Sequence, residues 1–215
     1  MARVKTRHIW SQAEEHLKAI DSQWSLRIGR VGHCSLVPME DHFGTLVRSI
    51  ISQQISTQAA RTIGSRLSLL TGEPYHPERI LALEEEELRG VGLSRAKATY
   101  VRNLAEAVSC GLLDLKALAG QADADLITQL TAVKGIGRWT AEMFLIFALN
   151  RPDVLPVGDL GIRAGIQGHF ELKDIPDPAK CQELTEPWRP FRTVASWYLW
   201  RDADRLKLKT TTSRT

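Results

Sequence analysis

The chain has 215 residues, 43% hydrophobic and 25% charged, which excludes a largely disordered polypeptide and leaves room for one large domain or two lobes sharing a core. A formal net charge of +3 excludes a strongly acidic protein and suits a polyanionic partner without identifying one. The opening Met1 to Trp10 has no apolar signal core, the longest apolar run (Met143 to Leu149) is too short to span a bilayer, and Cys34, Cys110 and Cys181 are too few and too scattered for a disulfide framework or an iron–sulfur site, so an intracellular protein with packing cysteines is expected.

Taken in chain order, the periodic segments repeat at helical spacing and none alternates as a strand does, which predicts an all-α fold. Phe43, Leu46, Val47, Ile50 and Ile51 mark one helix; Ile55, Ala59, Ile63, Leu67 and Leu70 mark the next, with Ser56 as its N-cap and the polar Ser52-Gln53-Gln54 between them. Pro77 opens a short helix ending near Glu87, in which Glu84 to Glu87 read as a solvated acidic turn rather than a metal site. The stretch Leu88-Arg89-Gly90-Val91-Gly92-Leu93-Ser94 forms a turn, and Ala98, Val101, Leu104, Ala105 and Val108 stripe the helix that Gly111 then stops.

Asp123 caps a helix carrying Leu126, Ile127 and Leu130, and a turn leads from it into an apolar helix from Arg138 to Leu149, with Glu142 on its surface and Pro152 closing it. Asp177-Pro178 and Pro190 start two further helices, and residues 207–215 read as a frayed tail. The six histidines show no HExxH or similar ligand spacing.

The most informative stretch is Leu130-Thr131-Ala132-Val133-Lys134-Gly135-Ile136-Gly137-Arg138-Trp139-Thr140-Ala141. Two glycines around one apolar residue, between helices, make a tight turn in which the backbone can approach a ligand. Ile136 would anchor that turn, and the N–H groups of Gly135, Gly137 and the next helical turn would face outward at the positive end of a helix dipole, where a phosphate oxygen binds. By itself this also fits an ordinary helical hairpin; one helix downstream, however, stands Leu155-Pro156-Val157-Gly158-Asp159-Leu160-Gly161, with Asp159 as an N-cap.

Together the hairpin, the aspartate loop and the upstream Ile50-Ile51-Ser52-Gln53-Gln54-Ile55-Ser56 resemble the helix-hairpin-helix superfamily of DNA glycosylases, named also for a glycine/proline-rich loop and a catalytic aspartate. The resemblance runs roughly from Leu46 to Trp200. It implies two helical lobes, one about 41–149 and the other about 1–40 plus 150–206, with an active-site cleft between them. Asp159 takes the place of the catalytic aspartate, which in the family both caps its helix and lines the base pocket. Gln54 holds the position that fills the duplex gap left by a flipped nucleotide, with Gln53 and Ser56 beside it as DNA contacts. Lys134, Gly135, Gly137 and Thr140 belong to the phosphate-binding hairpin, and Gly90, Gly92, Ser94 and Lys97 to a second backbone contact, which a glycine stop followed by a Ser94-capped helix explains nearly as well.

Branches of the family that also cleave the strand carry a lysine just before the Thr-Ala pair; here that residue is Trp139, which implies a glycosylase without lyase activity. Arg138-Trp139-Thr140-Ala141 resembles the alkylpurine branch, and Trp139, Trp200 and Met143 match its base-pocket positions, Met143 where a branch member has an aromatic. Aromatic faces suit a cationic alkylated purine, since cation–π stacking favours it by about 0.5–2 kcal/mol over a neutral base; core packing explains the same tryptophans. The positive charge already weakens the glycosidic bond, so one carboxylate and no catalytic cofactor suffices. The family also binds a potassium or sodium ion through hairpin carbonyls, here those of Thr131, Val133 and Ile136.

The expected partner is duplex DNA containing alkylated bases. The expected state is a monomer, in the cytoplasm of a prokaryote or the nucleus of a eukaryote and away from membranes, lacking the amino-terminal β-rich domain found in the branch. A DNA-damage binder that has lost turnover is the alternative, against which the presence of Asp159 argues.

Overall fold

The computed structural model describes the backbone of residues 2–212 and the side chains of residues 9–203. Among the described residues there are helices and turns and no strand, as the periodicity requires, and no helix is long and apolar enough to cross a membrane. The chain divides into two compact units, one made of Met1–Val37 and Asn150–Thr215 and the other of Pro38–Leu149.

The first unit opens with α1 (Ala2–Ile20) and α2 (Ser22–Val31). Trp10, Ala13 and Leu17 recur at helical spacing on α1 and are buried. Asp21 breaks the chain between the two helices and caps α2, its carboxylate accepting the Gln23 N–H at 2.8 Å.

The second unit begins with α3 (His42–Ser52), which buries the predicted stripe of Phe43, Leu46, Val47, Ile50 and Ile51. Ser56 caps α4 (Thr57–Thr71) through the Ala59 N–H at 3.2 Å. The stripe predicted for α4 is mostly not core: Leu67 is fully buried, whereas Ile55 precedes the helix and Leu70 is 50% exposed. One helix expected from Pro77 to Glu87 is two, α5 (Pro77–Leu81) and α6 (Glu85–Gly90). The acidic run causes the break. Glu84 leaves the helical region at φ −74° and ψ 160°, and Glu87 accepts its N–H at 2.9 Å, so the glutamates cap α6 themselves.

Next come α7 (Arg95–Ser109), stopped by Cys110 and Gly111 at φ +76°, α8 (Asp123–Thr131) and α9 (Arg138–Phe147). Asp123 is the first helical residue of α8 rather than its cap; Ala122 holds the cap position, and the acidic first turn meets the dipole. The helix α9 ends two residues short of Leu149. Leu46, Ile50, Leu104, Leu126, Leu130 and Phe144 are fully buried and form the core that α3, α7, α8 and α9 share. The unit's two ends meet, since the Met39 N–H donates to the Phe147 carbonyl at 2.8 Å.

The chain then completes the first unit with α10 (Leu160–His169), α11 (Pro178–Leu184) and α12 (Arg192–Thr212), the first two capped by Asp159 and Asp177. The last helix starts at Arg192, not Pro190, because the Thr193 N–H is held by the Pro152 carbonyl at 3.0 Å. It stays helical through Thr212, where a frayed tail was expected from Lys207 on; residues 213–215 lie outside the described ones. Trp24 meets Trp188 edge to face at 5.0 Å, and His169 lies 4.7 Å and 5.2 Å from the two rings. Cys34 and Cys181 are packed in this unit, but Cys110, expected to pack, is exposed at the end of α7.

Candidate functional site

In the first unit the chain between α9 and α10 is pinned before it reaches Asp159. The Thr193 hydroxyl accepts the Val154 N–H at 2.9 Å and donates to the Arg151 carbonyl at 2.6 Å, while Asp153 is paired with Arg192 at 2.6 Å. Leu155 and Pro156 are buried, and the Asp159 N–H closes the turn on the Pro156 carbonyl at 2.9 Å. Asp159 thus arrives at a fixed point at the start of α10, in extended conformation, with Oδ1 accepting the Ile162 N–H at 3.0 Å. The side chain is half-buried.

Trp200, also half-buried, is drawn to the same place. A methyl group on Gly161 would lie 3.0 Å from Asp159 Oδ1 and 3.8 Å from the Trp200 ring, so the absence of a side chain at 161 lets carboxylate and indole share that corner.

In the second unit the hairpin between α8 and α9 is closed by the Ile136 N–H donating to the Val133 carbonyl at 3.0 Å, and both side chains are buried. Gly135 takes φ +105°, and a Cβ there would collide with Cβ and Cγ of Tyr100. Gly137 holds the N-cap of α9 and has no side chain to cover the first-turn amides; among the described residues the N–H groups of Gly135 and Gly137 make no hydrogen bond. Lys134 is exposed, and its carbonyl accepts from the Asn103 amide at 3.1 Å. On α9, Trp139 is half-buried and Met143 is 4% exposed.

Several polar groups assigned to DNA on sequence grounds are engaged within the protein. The Gln53 Nε2 donates to the Gly135 carbonyl and to the Thr140 hydroxyl, both at 3.0 Å, and Thr140 is buried. Lys97 Nζ donates to the carbonyls of Ile51 at 2.7 Å and Gln53 at 2.6 Å. The reason is the end of α3, whose last carbonyls lack helical partners and lie at the negative end of its dipole. Burial pushes the Lys97 ammonium below its ordinary pKa. By contrast Gln54 and Ser56 are exposed, and Gln54 holds φ +55° at the tip of its turn. Ser94 is exposed and caps α7 through the Lys97 N–H at 3.3 Å; Gly90 ends α6, and Gly92 turns at φ +109°.

Glu142 is a correction: expected on the helix surface, it is 3% exposed and paired with Arg138 at 2.9 Å. Burial raises its pKa, opposed by Arg138 one turn earlier. Tyr100 and Asn103, which brace the hairpin, carry no motif, and their helical register with Lys97 is the only trace of them in the sequence. An open groove of about 590 Å³ between α3 and α4, lined among others by Arg48, Ser52, Arg61 and Tyr75, includes none of the predicted base-pocket residues.

Residues 47–190 match the model of the HhH-GPD superfamily of base excision DNA repair proteins. DNA-3-methyladenine glycosylase 1 of Schizosaccharomyces pombe is 37% identical over 197 residues, covering 89% of this chain and 86% of that protein. Two solved structures are similar over most of their length. The S. pombe 3-methyladenine DNA glycosylase in complex with abasic DNA has a TM-score of 0.82 and 36% identity, over 90% of this chain and 97% of that one. A DNA-3-methyladenine glycosidase from Bacillus halodurans has a TM-score of 0.72 and 38% identity, over 89% and 88%.

Proposed function

Since the chain belongs to the HhH-GPD superfamily of base excision DNA repair proteins, we propose that it is a monomeric DNA glycosylase that flips alkylated purines of the 3-methyladenine and 7-methylguanine type from duplex DNA and hydrolyses their N-glycosidic bond. The observation that carries this reading is a carboxylate fixed at a helix start beside an indole ring, Asp159 beside Trp200. Relatives named for 3-methyladenine, matching over most of both chains, support the substrate class.

Each residue then has a chemical task. Trp200, in the unit that carries Asp159, stacks on the cationic base, which already leaves readily. As it departs, the sugar becomes oxocarbenium-like, and ionised Asp159 stabilises that charge and orients the attacking water. The unbonded N–H groups of Gly135 and Gly137, at the start of α9, receive a backbone phosphate, and exposed Gln54 enters the gap in the duplex. Because Trp139 stands where a Schiff-base lysine would be needed, the abasic strand stays intact.

A potassium or sodium ion would be held by the carbonyls of Thr131, Val133 and Ile136, neutral hard oxygens that suit an alkali cation, and would add positive charge under the phosphate. The Val133 carbonyl also accepts the Ile136 N–H at 3.0 Å, so it would offer the ion its second lone pair, and the Gly135 carbonyl, which accepts from Gln53, is not in that set.

Incubating methylated duplex DNA with the wild type and with Asp159→Asn tests the reading. Asparagine is as good an N-cap as aspartate, so the variant is expected to fold normally while base release falls at least a hundredfold. The wild-type product strand is expected to break only after alkali. Equal release by both proteins removes Asp159 from the mechanism, and binding without release by the wild type favours the non-catalytic damage binder.

A further inference from the structure

Within the second unit, two turns far apart in sequence are tied by side chains that the glycosylase reading leaves without a task. One is the turn after α3, whose tip Gln54 adopts a left-handed conformation that costs a residue other than glycine energy. The other is the hairpin before α9. Gln53 joins them directly, since its amide reaches across to the Gly135 carbonyl and the buried Thr140 hydroxyl. A third element closes the arrangement. Lys97, Tyr100 and Asn103 follow one another along one side of α7: Lys97 holds the carbonyls of Ile51 and Gln53, Tyr100 fills the space left by the Gly135 side chain, and Asn103 holds the Lys134 carbonyl.

We propose that Gln53 and Lys97 are positioning residues that lock the Gln54 turn to the Gly135–Gly137 hairpin at a fixed offset, so that filling the duplex gap and holding the phosphate happen as one rigid act. This rests on the glycosylase reading, in which these two turns touch DNA. The lock explains why their polar groups face inward beside a surface assigned to a polyanion. The hairpin amides grip phosphate with or without the lock, whereas productive flipping requires both turns in register, and a misplacement of about 1 Å is enough to cost a hundredfold in rate.

The test uses the full chain with Gln53→Met, which keeps the length of the side chain and loses its donor, together with Thr140→Val, the double variant, Lys97→Met and Lys97→Arg. Gln53→Met is expected to bind undamaged duplex within about twofold of wild type, with the same salt dependence, while single-turnover base release falls about tenfold to a hundredfold. The double variant is expected to be no slower than Gln53→Met alone, because both substitutions break one connection. Lys97→Arg is expected to keep most of the release that Lys97→Met loses.

Hydrogen exchange gives a readout independent of turnover: in Gln53→Met the hydrogen-bonded amides of the two turns, those of Gln53, Ile55 and Ile136, are expected to exchange faster together, with the rest of the unit unchanged. Wild-type release by Gln53→Met, or a parallel loss of affinity for undamaged duplex, overturns the lock, the latter by making Gln53 a direct DNA contact. If the wild type releases no base, the glycosylase reading fails on its own, and the exchange experiment still decides whether the turns are coupled. Should Gln53→Met not fold, Thr140→Val removes one of the two acceptors from the other side and leaves the bond to the Gly135 carbonyl. It is then expected to slow release and speed exchange in the same direction by a smaller factor, and wild-type release with wild-type exchange overturns the lock.

Discussion

The two glycines of the hairpin look equivalent in the sequence and are not equivalent in the structure. Gly135 sits at φ +105° with the Tyr100 ring where its side chain would be, whereas Gly137 has ordinary backbone angles and nothing within 4 Å of a added methyl group. Gly135→Ala is therefore expected to lower stability by about 2–4 kcal/mol, the sum of backbone strain and overpacking, and to weaken DNA binding by displacing the turn. Gly137→Ala is expected to change stability by less than about 1 kcal/mol. Urea titrations of the two variants check this, and equal losses would contradict it. Other residues were opaque in sequence for a similar reason. Gln53 and Lys97 read as DNA contacts because polar side chains in polar turns ordinarily face water. Their partners are backbone carbonyls and a hydroxyl more than 40 residues away, and a carbonyl leaves no mark in a sequence. Glu142 misled in the same way: a charge on a helix reads as surface, while here Arg138 one turn earlier allows it to be buried.

At the level of elements, what periodicity and capping encode locally was legible: the apolar stripe of α3, the Ser56 and Ser94 caps, and the Asp159 cap of α10. Boundaries set by competition between neighbours were less so, as where Glu84 and Glu87 cap a new helix inside a segment that reads as one, or where Ala122 displaces Asp123 from the cap position. The α7 cap separates support from contact. Ser94→Ala removes the acceptor of the Lys97 N–H and is expected to cost about 1 kcal/mol in a denaturant melt. Ser94→Asp is expected to keep that stability, since aspartate caps well and suits the dipole, yet to weaken DNA binding most at low salt if this exposed turn faces phosphates. Unchanged affinity for Ser94→Asp would remove the turn from the DNA surface.

At the scale of the whole molecule, the buried aromatic centre of the first unit makes stability depend on pH. Burial, reinforced by the neighbouring Arg27 guanidinium and opposed by Asp21, pushes the His169 imidazole from about 6.5 down to about 4. Nδ1 accepts from Arg27 at 2.9 Å, and Arg27 in turn is paired with Asp202. The folded protein therefore resists a proton that the unfolded chain takes up, and stability is complete above pH 6.5 and is lost as pH falls through the window to about 4. The expected loss is about 3 kcal/mol across that window, read from urea midpoints between pH 4 and 8, and His169→Gln is expected to flatten the curve. The same unit is discontinuous in sequence, built from Met1–Val37 and Asn150–Thr215, and the intervening segment is the second unit, whose own ends are joined by the Met39 to Phe147 hydrogen bond. A ribosome that has just added Leu149 has made the entire hairpin unit and no part of the Asp159 loop. Folding in order of synthesis brings the two halves of the other unit together afterwards, at a closure cost much smaller than that of a free loop of the same length. A premature stop codon between Leu149 and Asp159 would leave a fragment with every residue assigned to holding DNA and without the carboxylate assigned to breaking the glycosidic bond, the composition of a dominant-negative competitor.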